Sequence, residues 1–227
     1  MCGRYVIEGN AGLSERFHLR HVPQDLFADF STFNAAPTQL LPVIVENEAG
    51  ERELVPMQWG LVPRWKPQPG KRSIAPINAR AETLFEKPMF RSAVRRRRCL
   101  VPADGFYEWQ QREGRKQPYH IGMVDDAPFA LAGIWECRAQ PGAPALVSCA
   151  LIVTGANELM ARIHERMPVI VAPEDYARWL DPRLDDPVAI QEMLQPFPAE
   201  LMRAYPVSTR VNNVKNDAPD LIETIEA

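Results

Sequence analysis

Cysteine, glycine and net charge are all in short supply in this sequence, and each shortage narrows the field. The four cysteines (Cys2, Cys99, Cys137, Cys149) form no Cys-x-x-Cys pair and share no metal-like spacing with the four histidines. A zinc ribbon, a redox dithiol motif and a disulfide-stapled secreted scaffold are therefore not expected, and neither is a metal or other cofactor. Cys99, Cys137 and Cys149 lie in apolar stretches and read as reduced core residues. No apolar run reaches the ~18 residues a membrane span needs. No charged-then-apolar leader precedes the first motif, so a cytoplasmic protein without a membrane partner is expected. The formal net charge of -3 supplies no global field for nucleic acid, so any DNA contact has to come from a local basic groove. Glycine is outnumbered, 12 against 22 prolines, and the prolines are scattered among apolar runs. That pattern predicts short strands and rigid loops, not a disordered tail.

What is present suffices for a real core: 227 residues, 46% of them hydrophobic and 24% charged. Residues 3–7 read as a strand and residues 13–19 as a short helix. Residues 41–45 and 53–59 predict a hairpin across the turn at 47–50. A Pro/Lys-rich loop is expected over 63–71. Strand-like alternation returns at 106–111, 119–123, 129–137 and 146–154. Asn157 can cap a short helix running to His164, Pro173 can start another that carries Trp179 and Leu180, and residues 188–194 suggest a third. Repeats and low-complexity tracts are missing. The expected fold is α+β: one compact domain over 1–227, with its core at about 2–217, built on a curved, largely antiparallel, barrel-like sheet with peripheral helices.

The opening, Met1-Cys2-Gly3-Arg4, carries chemistry of its own. Initiator Met is normally removed before a small residue, which would leave Cys2 with a free α-amine beside its thiol. An α-amine titrates near pH 7.7–8, so roughly a quarter is neutral at physiological pH, against about one part in a thousand for a lysine. Such an amine attacks an aldehyde to give a Schiff base, and the neighbouring thiol can then close a five-membered thiazolidine ring. The same opening is also how glutamine amidotransferases begin, where the Cys attacks an amide. The first four residues alone leave both readings open.

Further polar-aromatic segments follow. They are Asn34-Ala35-Ala36-Pro37-Thr38, Gln58-Trp59-Gly60-Leu61-Val62-Pro63-Arg64-Trp65, Ile77-Asn78-Ala79-Arg80-Ala81-Glu82-Thr83, Cys99-Leu100-Val101-Pro102-Ala103-Asp104-Gly105-Phe106-Tyr107-Glu108-Trp109, Ile163-His164-Glu165-Arg166-Met167-Pro168-Val169 and Val211-Asn212-Asn213-Val214-Lys215-Asn216. With the N-terminal motif, this ordered set resembles the SRAP family, the SOS response-associated peptidases, from Cys2 to about Asp217. The resemblance implies a single domain that binds single-stranded DNA and crosslinks its N-terminal Cys to abasic sites, with peptidase and lyase-type chemistry at that residue. It implies Cys2 as the nucleophile and Asn78 as the residue orienting its amine or the sugar. Glu108 becomes the acid/base residue, and His164 the proton shuttle to the opening sugar oxygen. It implies DNA contacts at Arg4, Pro37, Trp59, Trp65, Arg80, Trp109 and Arg166. The residue types suit the chemistry. Opening a closed deoxyribose hemiacetal needs proton transfer, for which a carboxyl group and an imidazole serve. Arginine forks match phosphate, and exposed tryptophans can stack on unpaired bases.

Two other functions compete. The chain could be an N-terminal-nucleophile amidohydrolase or glutamine amidotransferase, although the Gly-His-x-Arg segment and Asn-Gly run of that family are missing. It could also be a non-covalent single-strand binder. Arg91 and Arg95 to Arg98 read either as a phosphate-tracking patch or as the solvated C-terminal end of a helix, and the second is favoured. The expected protein is a monomer, nucleoid-associated when bound to DNA.

Overall fold

The computed structural model describes residues 2–9, 12–20, 30–65 and 74–226. Met1, whose removal the sequence suggests, and the 66–71 part of the expected Pro/Lys-rich loop lie outside the described residues. Among the described residues thirteen strands form in chain order: β1 Tyr5–Ile7, β2 Thr32–Ala35, β3 Leu40–Glu46, β4 Arg52–Trp59, β5 Asn78–Arg80, β6 Arg98–Ala103 and β7 Gly105–Arg112. After them come β8 Arg115–Met123, β9 Phe129–Gln140, β10 Ala143–Gly155, β11 Arg166–Pro168, β12 Ile170–Val171 and β13 Met202–Pro206.

Hydrogen-bonded pairings run from β10 to β4, β3, β6, β9 and back to β10, which closes a five-stranded barrel. Closure leaves these five strands without free edges. Every step is antiparallel except β10 with β4. The barrel strands bury β-branched and aliphatic residues on both faces, among them Val43, Met57, Val101 and Leu131, with Leu100 and Ile152 on the opposite face. A second sheet, in the order β13-β8-β7-β1-β2, packs beside the barrel.

The long strand β10 is a spine. It pairs in succession with β4 at Ser148 and Cys149, with β5 at Leu151 to Val153, and with β11 at Val153 to Gly155. Segments far apart in sequence are thereby laid along its two edges, β4 and β5 on one and β11 on the other, where it continues the line of β9. Asn78 of β5 sits opposite Leu151, Arg80 opposite Val153, and Arg166 of β11 opposite Gly155.

Helices are short and peripheral, as expected for a sheet-dominated α+β domain: α1 Gly12–Arg16, α2 Arg91–Arg96, α3 Tyr176–Leu180 and α4 Pro187–Glu192. Asn157 does cap a turn, its Oδ1 accepting from the Met160 backbone N–H at 2.9 Å, but the turn is a single 3-10 one, Met160–Arg162. The favoured reading of the arginine run is half right. The run does end a helix, yet its arginines are not simply solvated. Arg98 is buried, donating to the carbonyls of Val94 at 2.7 Å, Arg95 at 2.8 Å and Trp179 at 2.5 Å. Arg95 and Arg96 pair with Asp185, and Arg97 with the buried Glu136 at 2.7 Å. These arginines rivet α2 to the segment after α3 and to the barrel. Hydrogen bonds to unpaired carbonyls at helix C-terminal ends are what let a guanidinium sit in the interior. None of the described helices is long and apolar enough to cross a membrane.

Candidate functional site

Cys2 lies three residues ahead of β1, which is held between β2 and β7, and it is fully buried. Its Sγ reaches the Arg4 carbonyl at 3.8 Å. Burial, with the charge of Glu108 second, pushes the thiol well above its ordinary value, so it is held protonated. That coupling brings Glu108 and Cys2 into one site, although 106 positions separate them. Glu108 is on β7, only 2% exposed, and its backbone pairs with Tyr119 of β8.

Asn78 closes the site from the β5 side. Its Nδ2 donates to the Cys2 carbonyl at 2.8 Å, and its Oδ1 is buried without a hydrogen-bond partner among the described residues. An unsatisfied buried amide oxygen costs about 1–3 kcal/mol, so it marks an acceptor kept for something else. His164 follows the 3-10 turn capped by Asn157. Its Nδ1 meets both backbone groups of Arg166, the N–H at 2.9 Å and the carbonyl at 3.2 Å; the shorter contact, an N–H donating to Nδ1, favours the neutral tautomer with its proton on Nε2. A cavity of about 380 Å³ is lined by Glu108, Trp109, Lys116, His164 and Asn212. Gln110 fastens the His164 turn to β7, its Nε2 donating to the Arg162 carbonyl at 2.5 Å.

The expected DNA-contact residues divide. Arg80 and Trp65 are exposed, Trp65 by 49%, and can meet a ligand as they stand. Pro37 is half-buried and is followed by Thr38, whose φ of 77° is rare for a β-branched residue. Arg166 pairs with Glu82, so a phosphate would have to compete for it. Trp109 is half-buried, its indole N–H donating to Asn212 Oδ1 at 2.7 Å.

Two expectations are corrected. Trp59 is fully buried, its Nε1 on the Ile77 carbonyl and its ring 5.6 Å from that of Tyr5, so it is core and presents no face to a base. Arg4, expected on a phosphate, grips the protein itself. Its Nη1 donates to Asn34 Oδ1 at 2.9 Å and to the Val211 carbonyl at 2.8 Å.

Asn34 is what the sequence alone did not single out. Buried at 1% exposure, its Nδ2 shares two hydrogens among the carbonyls of Val211 at 3.3 Å, Asn213 at 3.1 Å and Asn216 at 2.8 Å. Phe33 adds a backbone bond to Asp217 Oδ1 at 2.6 Å. The 211–217 segment is thus clasped to β2 and Arg4, and the clasp sets Asn212 at the mouth of the cavity. Asn34 and Asn212 both stand in the polar-aromatic segments, but a motif gives no sign of which residue grips which.

The buried Cys2 with the Asn78 amide on its carbonyl, and the cavity shared by Glu108 and His164, are the candidate site. The chain belongs to the SOS response associated peptidase (SRAP) family, whose model matches residues 1–214. Among its relatives, the abasic site processing protein YoqW of Bacillus subtilis is 40% identical over 227 residues, covering 99% of this chain and all of that one. The abasic site processing protein HMCES of Gallus gallus is 33% identical, covering 86% of this chain and 66% of its own. In structure, a protein from Bacteroides thetaiotaomicron superposes with a TM-score of 0.86 at 26% identity, over 99% of this chain and 100% of that one.

Proposed function

We propose that this protein captures abasic sites in single-stranded DNA as a covalent adduct on Cys2, and so shields the lesion during the response to DNA damage. The observation that carries the reading is the grip of the Asn78 Nδ2 on the Cys2 carbonyl, with the oxygen of the same amide left unsatisfied beside it. Once Met1 is removed, by hydrolysis of its peptide bond, that oxygen can accept from the Cys2 amine and aim it. The names of the curated relatives, abasic site processing proteins, support the same substrate.

The steps follow from the groups present. The closed deoxyribose opens as its anomeric hydroxyl loses a proton and its ring oxygen gains one. Glu108 accepts the hydroxyl proton, and the ring oxygen, held by a hydrogen bond from the His164 Nε2–H, takes its proton from solvent relayed through that nitrogen, so the imidazole ends as it began. Because the thiol is held neutral, the first attack falls to the amine. Its nitrogen bonds to the aldehyde carbon, and protonation of the resulting hydroxyl by Glu108 expels one water to leave the Schiff base. The thiol then adds across the C=N bond, sulfur to carbon and its proton relayed by Glu108 to nitrogen, to give the thiazolidine. The net change is one bond to nitrogen, one to sulfur and one water lost. The Schiff base also acidifies the neighbouring C–H, so a weak β-elimination at the lesion competes with ring closure. Arg80, Arg166 and Trp65 flank the site as contacts for phosphate and an unpaired base. A cytoplasmic monomer needing no cofactor fits these steps.

Intact mass after incubation with single-stranded DNA carrying one abasic site tests the reading. The expected species lacks Met1, is heavier by the oligonucleotide less one water, and is missing in Cys2→Ala. A Met1-free protein that gains no covalent mass refutes it.

A further inference from the structure

The β7–β8 hairpin carries charge that nothing in the fold explains. Residues 111–116 are all exposed and include Arg112, Arg115 and Lys116 against the single carboxylate of Glu113. None of these three cations makes an ion pair among the described residues. The turn is a tight two-residue one, with φ of 43° at Glu113 and 80° at Gly114, the geometry that matches strand twist in hairpins. It sets Arg112 and Arg115 directly opposite one another as the closing pair. Like charges in that position destabilise a hairpin. The Arg112 Nε is in addition held by Gln110 Oε1 at 2.6 Å, which fixes the base of its guanidinium.

A groove of about 910 Å³ runs beside this hairpin, lined by Arg112, Glu113, Arg115, Lys116, Gln117 and Thr209. Lys116 lines both the groove and the Glu108–His164 cavity. The far wall is also shared, because the 3-10 turn Thr209–Asn212 gives Thr209 to the groove and Asn212 to the cavity. The two spaces are therefore neighbours along one surface.

We infer that this groove is a binding track for the phosphates of a nucleic-acid strand, carrying the DNA away from the Cys2 site on one side of the lesion, while Arg80 and Arg166 serve the other side. The inference rests on the proposed capture of abasic DNA. A polyanion is the occupant whose charge complements two opposed arginines and a lysine in a chain whose net charge is -3. It also relieves the repulsion built into the closing pair.

The experiment uses two fluorescent single strands carrying tetrahydrofuran, an abasic analogue without an aldehyde. In one the analogue is at the 5′ end, in the other at the 3′ end, so that nucleotides extend to one side only. Binding is followed by anisotropy across a salt series, for the wild type, for Arg112→Ala/Arg115→Ala and for Arg112→Lys/Arg115→Lys. The alanine variant is expected to lose affinity for one of the two strands only. For that strand its log–log salt slope becomes shallower by about 1.4, at about 0.7 per phosphate contact for single strands. The lysine variant keeps most of the slope. Unchanged slopes, or equal losses on both strands, overturn the track. Wild-type adduct formation on the corresponding aldehyde-bearing strands is read separately by mass. Its failure would sink the capture chemistry, while a one-sided loss of slope would still support the track.

Discussion

Placing a single methyl group at Gly105 should unseat the second sheet. A Cβ built there falls 2.1 Å from His120 Nε2 and 2.5 Å from its Cε1. The imidazole would have to retreat by more than an ångström to regain ordinary contact. It has nowhere to go. The ring is packed between Tyr107, at 5.6 Å, and Tyr205, at 5.1 Å, and it overlies Gly122 as well. Overpacking in a tight interior costs about 1–3 kcal/mol, and the rigidity of this cage puts Gly105→Ala at the upper end, about 3 kcal/mol. The cause can be isolated by a double-mutant cycle. In a His120→Ala background the added methyl meets space, and Gly→Ala should then be neutral or favourable by up to about 1 kcal/mol, through the entropy of the unfolded chain. Urea unfolding of the four proteins gives the coupling, expected at about 2 kcal/mol or more. A cost below about 0.5 kcal/mol for Gly105→Ala, or the same cost in both backgrounds, refutes the steric account.

His120 also sets a pH dependence. Burial, with the charge of Arg203 second, lowers its pKa to about 4, whereas an unfolded histidine titrates near 6.5, so the unfolded chain binds the proton more readily. The stability it contributes is complete above about pH 6.5 and is lost as the pH falls towards 4, by on the order of 3 kcal/mol. A stability difference between the wild type and His120→Leu that stays flat across that window contradicts this. Asn34→Ala should cost about 3 kcal/mol, because it leaves buried carbonyls and the Arg4 guanidinium short of partners. It should also open the 211–217 segment to proteolysis, and unchanged urea midpoints and cleavage patterns would show the clasp to be idle. Glu82→Gln releases Arg166 from its ion pair. Affinity for single-stranded DNA in a Cys2→Ala background should rise by up to about fivefold, the range of a surface pair, and an unchanged or weaker affinity would place Arg166 outside the DNA path.

Much of this was legible in the sequence, for identifiable reasons. The β3–β4 hairpin and strands β7 to β10 declare themselves because alternation with a period of two is what a strand with one buried face requires. Cys2 stood out as the candidate because an N-terminal Cys is chemically distinctive. A barrel-like sheet was expected, but the strands that close it were not legible, since the pairing of β10 with both β9 and β4 depends on contacts that leave no local pattern. Trp59 and Trp65 read alike in one motif, yet one is core and the other exposed. The strand ends between them, and sequence does not say on which side of that end a side chain falls. Arg4 misled for a similar reason: a guanidinium suits a phosphate and a cluster of carbonyls equally well, and only the position of residues 211–216 decides.

The clasp has a consequence for biosynthesis. Arg4 and Asn34 are bound to the carbonyls of residues 211, 213 and 216, so segments made early and about 180 or more residues later complete each other. Domains form as units while translation proceeds from the N-terminus. Until the closing residues emerge, β1 lacks its lock and the wall carrying Asn212 is missing from the cavity. The N-terminal cysteine is therefore made first and housed last, and a product truncated before residue 211 would carry it without the wall that Asn212 completes.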